Sequence, residues 1–143
     1  MASMFSSDVF IPLDRLDLVD ELVERSLTAP VVIFKHSPTC GISAFAFDEL
    51  LAYREEPGSL DIHLVDVLGG REISRAIASR CGVRHESPQV LLLVDGAVAW
   101  SASHYGITGE AVRRAVSGAG GRILNNLVDE PSPQAYRRGD GWS

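Results

Sequence analysis

The stretch Val31-Val32-Ile33-Phe34-Lys35-His36 is an apolar, β-branched run that Ser37-Pro38-Thr39 breaks, and at Cys40 a helical pattern takes over. This strand-to-helix joint constrains the fold more than any other feature of the chain. The run over residues 31–36 is too short for a helix and too continuously apolar for a half-exposed strand, so it reads as a buried central strand. Strands buried on both faces belong to parallel or mixed sheets covered by helices. Thr39 is placed to cap the helix that follows. From Cys40 to about residue 53, Ile42, Phe45, Ala46, Leu50 and Tyr53 give that helix one apolar face.

The flanking segments extend the same architecture. Residues 1–11 show no clear period and read as a loose lead-in. Pro12 can open a helix, and Leu13, Leu16, Val19, Leu22 and Val23 recur at helical spacing among acidic positions up to about residue 27. Pro30 ends it, because proline biases its predecessor away from helix. Residues 60–67 read as a second strand and 71–80 as a short helix, with Gly82 a left-handed cap. Residues 89–94 and 97–103 read as two strands joined by Asp95-Gly96, a strong two-residue hairpin signal. Thr108 caps a last helix over residues 109 to about 116, and the glycine group from Gly118 to Gly121 marks a boundary. The expected division is a domain over residues 1–117 and a partly disordered extension over 118–143. The βαβ unit gives parallel strands with a right-handed crossover, and the hairpin adds an antiparallel edge. The expectation is therefore an α/β, thioredoxin-like fold, with a four-stranded mixed sheet flanked by helices and an extra N-terminal helix.

Composition removes several functional classes. A chain of 143 residues is long enough for one domain and short for two. The net charge of −6, with no basic run longer than a pair, argues against nucleic acid as a partner. No apolar run approaches the ~20 residues of a membrane span, and the first residues lack a signal-peptide pattern, so the expected location is cytoplasmic. Two cysteines, Cys40 and Cys81, do not make a disulfide framework. No His or Cys pair has metal-ligand spacing, so no metal is expected.

The chemistry then centres on Cys40. A thiolate, not a thiol, is the nucleophile, and a helix N-terminus favours the anion through its free N–H groups and dipole. Lys35, the only lysine, and His36 lie close in sequence and could add positive charge, although Lys35 alternates away from His36 if the strand continues. Ser43 stands three residues after Cys40, on the same helix face, where its hydroxyl can donate to the thiolate but cannot resolve a mixed disulfide. Pro88 opens a strand after a loop, a good site for a cis peptide bond, with trans the open alternative. Ser87 before it would offer backbone groups to an extended substrate, and His85, Glu86, His104 and Tyr105 would cluster at the same edge. Cys81 is expected to pack; a resolving role would require it within reach of Cys40. A packing role for Cys40 itself stays open at this level.

Three spaced segments carry a resemblance: Phe34 through Ser43, His85-Glu86-Ser87-Pro88-Gln89, and Trp100 through Thr108. Together they resemble the monothiol bacilliredoxin family, thioredoxin-fold proteins of the bacillithiol system with a Thr-Cys-x-Ile-Ser active site, over roughly residues 14–116. The resemblance implies that Cys40 takes bacillithiol from S-thiolated client proteins as its own mixed disulfide, and that a second low-molecular-weight thiol or a reductase restores it. It implies no tightly bound cofactor, with bacillithiol or a related thiol as co-substrate. Ordinary thioredoxins carry a buried acid six residues before the nucleophile, where this chain has Phe34. The tail after Gly118 is not explained by the family motif. Two rivals stand beside this expectation. Cys40-Gly41-Ile42-Ser43 is close to the Cys-Gly-Phe-Ser of monothiol glutaredoxins, which implies an iron–sulfur carrier, though their insert before the cysteine is missing. The other rival is a non-catalytic thioredoxin-fold adaptor.

Overall fold

Alternate side chains of the central strand go to opposite faces of the sheet, and both faces are covered. The computed structural model describes residues 9–128, with side chains to residue 119. In chain order the elements are β1 (Phe10–Pro12), α1 (Leu16–Arg25), β2 (Val31–His36), α2 (Gly41–Arg54), β3 (Ile62–Asp66), α3 (Arg71–Cys81), β4 (Gln89–Val94), β5 (Ala97–Ser103) and α4 (Gly109–Val128). The sheet order is β1-β3-β2-β4-β5, with β1 and β2 parallel to β3, and β4 antiparallel to both β2 and β5. On β2, Val32 and Phe34 join Ala46, Leu50 and Tyr53 of α2 and Val112 and Ala119 of α4 in one apolar cluster. Val31 and Ile33 join Val19 and Leu22 of α1 and Ile73 and Ile77 of α3 in the other. Burying each of these larger side chains contributes about 1.5–3 kcal/mol.

Among the described residues the sheet has five strands rather than four. The lead-in is not loose throughout, because Phe10 to Pro12 pair with Ile62 to Leu64. Three residues cannot display a period, and their partner lies some fifty positions away, so nothing local announces the strand. Phe10 is buried against Phe34 and Phe47, with ring centroids 6.1 and 5.0 Å apart in edge-to-face contact. The N-terminal helix is shorter than its pattern, because Pro12 and Leu13 belong to β1 and its exit, where Leu13 N–H donates to Leu64 O at 2.8 Å. The last helix continues through the glycine group to Val128. The rest of the proposed extension, from residue 129, lies outside the described residues.

Several local expectations hold. Asp95 and Gly96 both take positive φ (57° and 85°), the two-residue turn that suits a right-twisted hairpin. That turn is pinned to the end of α1: Asp95 N–H donates to Ser26 O (2.7 Å) and Gly96 N–H to Ser26 Oγ (2.9 Å). Gly82 caps α3 in the left-handed region, φ 67°. Thr108 Oγ1 accepts from Ala111 N–H at 3.1 Å, and Glu49 of α2 accepts Gly109 N–H at 2.8 Å, fastening the start of α4 to α2. Because β2 and β3 are parallel and β4 runs against them, the ends of β2 and β3 and the start of β4 share one edge of the sheet. Cys40 and Pro88 lie at that edge.

Candidate active site

Cys40, not Thr39, is the N-cap of α2; its φ and ψ of −107° and 128° are extended while the chain beyond is helical. Thr39 is exposed one residue earlier and makes no cap. Ala44 N–H donates to Cys40 O (3.0 Å), so the N–H groups of Gly41, Ile42 and Ser43 have no intrahelical acceptor. The sulfur is therefore attached where a helix offers donors to negative charge. Cys40 is half-buried and free, and among the described residues no side-chain hydrogen bond reaches it.

Ser43 is fully buried, and its hydroxyl is committed elsewhere. Ser37 N–H donates to Ser43 Oγ at 2.9 Å, and His36 Nδ1 lies 2.8 Å from the same oxygen. A serine oxygen has two acceptor sites and one donor, so it serves Ser37 N–H and His36 Nδ1 together. Burial holds His36 below the ordinary histidine value, against the opposing pull of Asp66, and so favours the neutral ring. Its ring packs between Phe34 and Phe47, 5.3 and 4.9 Å away. Ser43 thus locks the turn before Cys40 to the first turn of α2, in place of the donation to sulfur expected from its spacing.

Lys35 is placed away from this pair. It follows Val31 and Ile33 onto the α1–α3 face, is fully buried, and holds Nζ 3.1 Å from His85 Nδ1. Burial lowers its pKa to about 8, partly offset by the Cys81 thiol. Cys81 is half-buried on that face, raised above its ordinary value by burial and eased back by Lys35. The structure thus pairs the lone lysine electrostatically with Cys81. Since α2 packs on the other face, Cys40 and Cys81 belong to opposite sides of the sheet.

The Ser87–Pro88 bond is cis, and Pro88 is buried. Four contacts hold its loop. Lys35 meets His85, Gln89 Nε2 donates to Arg84 O (3.1 Å), His104 N–H donates to Pro88 O (3.1 Å), and the His104 ring stands 3.8 Å from Glu86. His85 and His104 therefore brace the loop from its two sides. Ser87 Oγ is buried without a partner. The roles of Cys81 beside Lys35 and of Ser43 as a lock were not foreseen, whereas Glu86 and His104 meet at the edge where the sequence reading put them. For the first of these, strand alternation at Lys35 was the available signal.

A cysteine at a strand–helix joint, a serine in the second position and a cis-proline at the same sheet edge meet their match in a family profile described as Monothiol bacilliredoxin BrxC, over residues 11–112. The chain belongs to the monothiol bacilliredoxin family. A solved structure described by its thioredoxin fold and a proposed oxidoreductase role is similar at 31% identity and TM-score 0.69, over 79% of this chain and 98% of that one. Mitochondrial thioredoxin 3 from Saccharomyces cerevisiae matches at 17% identity and TM-score 0.59, over 76% of this chain and 94% of its own. Fasciola hepatica thioredoxin matches at 16% and 0.60, over 77% and 99%. The last two show the fold alone. At the level of the bacilliredoxin family, the role is that of a thiol–disulfide oxidoreductase.

Proposed function

We propose that the protein removes a low-molecular-weight thiol, bacillithiol in the first instance, from S-thiolated client proteins by attack of Cys40. The Cys40 thiolate attacks the sulfur of the small thiol in the client's mixed disulfide. A bond forms from Cys40 Sγ to that sulfur, the client's S–S bond breaks, and the client cysteine leaves as a thiolate and takes a proton. The client is reduced and Cys40 is oxidised to the disulfide level. A second small thiol then attacks the small thiol's sulfur, leaves as a symmetric disulfide with it, and returns Cys40. No resident cofactor enters these steps, and a reducing cytoplasm is the compartment that supplies the second thiol.

One observation supports a single-thiol cycle above others: the position able to hold a resolving thiol is Ser43, buried and bonded to His36 and Ser37. Cys81 packs on the opposite face of the sheet. In the test, the protein is incubated with a bacillithiolated peptide and analysed by mass spectrometry. One adduct on Cys40 is expected in the wild type and in Cys81→Ser, and none in Cys40→Ser. An adduct that needs Cys81, or none in the wild type, would remove the proposal.

A further inference from the structure

A cleft of about 240 Å³ lies beside this site, lined by Val67, Arg71, Ser74, Arg75 and His85. Val67 follows β3 and His85 precedes β4, so the cleft lies on the α3 side of the sheet, at the end where Cys40 stands. Val67 N–H donates to His36 O at 2.9 Å, and His85 lies three residues before the cis-proline. Gly70 lets α3 start close against β3, because a Cβ there would sit 2.9 Å from Asp66 O.

The described ion pairs engage Arg15, Arg54, Arg80, Arg113 and Arg114, whereas Arg71 and Arg75, like Arg25 and Arg84 elsewhere, join none among the described residues. Their placement is unfavourable twice over. Arg71 puts a cation at the positive end of α3, and Arg75, four residues on, puts a like charge on the same face. In a chain of net charge −6, two such arginines point to an anion absent from the chain itself. A second, independent feature points the same way. Ser74 is 3% exposed and its Oγ has no hydrogen-bond partner. His85 adds a fourth donor, since its Nδ1 faces Lys35 Nζ and its Nε2–H has no partner among the described residues.

We propose that this cleft binds the carboxylates of the small thiol while its sulfur is exchanged at Cys40. Guanidinium forks, a hydroxyl and an imidazole N–H match carboxylate oxygens. The volume suits a fragment of a small molecule rather than a folded client. This inference rests on the thiol-exchange reading above and adds the residues that would hold the small thiol, Arg71, Ser74, Arg75 and His85.

The experiment uses one peptide in two mixed disulfides, one with mercaptosuccinate (two carboxylates) and one with 2-mercaptoethanol (none). The exchange is the step already written, with the small thiol's sulfur passing to Cys40 and the peptide thiolate leaving. Wild-type kcat/KM is expected to favour the dicarboxylate by about tenfold. The Arg71→Gln/Arg75→Gln double variant loses the preference, and Arg71→Lys/Arg75→Lys keeps part of it. Both arginines are exposed, and a melting curve shows whether each variant is folded. No preference in the wild type, or equal slowing of both disulfides in the double variant, overturns the subsite and leaves thiol exchange standing. Slowing of an acidic peptide carrying the neutral thiol, to the same degree, also overturns it, because the arginines would then read the client. Failure of both disulfides to load Cys40 overturns the exchange reading and the subsite together.

Discussion

At the residue scale, Ser43 separates what spacing tells from what bonding tells. Its position three residues after Cys40 was legible, and the absence of a second thiol there carries the single-thiol reading. Its bond was not legible, because the partner depends on which way His36 leaves β2. Alternation sends His36 to the face of Phe34, over α2, and there it meets Ser43 Oγ before any contact with sulfur. Ser43→Ala leaves Ser37 N–H and His36 Nδ1 without this partner. The expected loss is about 1–3 kcal/mol of folding stability in urea titrations, with Cys40 still able to take an adduct. Unchanged stability would show that the lock carries no energy. His36 gives the same bond a pH dependence. Its folded pKa lies below the unfolded value, so the unfolded chain binds more protons as pH falls through about 6.5. Protonation also places a hydrogen on Nδ1, so that the ring must act as the donor in its bond to Ser43 Oγ. Stability is therefore expected to fall on acidification from pH 7 to 5, less steeply in His36→Gln; equal slopes would exclude the lock as the cause.

At the element scale, the strands and helices from β2 to β5 were legible because each carries its own signal: a buried apolar run, an amphipathic period, or an Asp-Gly turn. β1 and the far half of α4 were not. β1 exists because Ile62 to Leu64 offer it a ladder and Phe34 and Phe47 offer Phe10 a pocket. Phe10→Ala is expected to cost about 3–5 kcal/mol, read from the denaturation midpoint. A cost within ~0.5 kcal/mol would mean that β1 is dispensable. The helix α4 runs through Gly118, Gly120 and Gly121 although glycine is disfavoured there by about 1 kcal/mol each. Tertiary contact can override local propensity, and Ala119, buried against the α2–α4 cluster, is where that contact is described.

At the scale of the whole molecule, the two sheet faces carry different electrostatics. The α2 face holds the aromatic cluster and the neutral His36. The other face buries Lys35, whose pKa of about 8 lies below the value of 10.5 for the unfolded chain. The unfolded state thus binds more protons between these values, and stability rises with pH once Lys35 begins to lose its charge. Between pH 7.5 and 9 the rise from this group is about 1 kcal/mol. Cys81, held above its ordinary value by burial, works against it toward the top of that range. The comparison is therefore with Lys35→Met, which is expected to lack the Lys35 contribution while retaining a thiol at position 81. Parallel stability curves for the two proteins would contradict the assignment. The edges of the sheet have a consequence of their own. β1 offers three residues and ends on Pro12, which has no N–H, and the ladder of β5 is interrupted by a register shift at Leu92 and Leu93. Edges so blunted are poor templates for strand addition by a neighbouring molecule. Concentrated protein is therefore expected to resist fibrillar aggregation, and its dimers should be joined through sulfur, disappearing when a reductant is added.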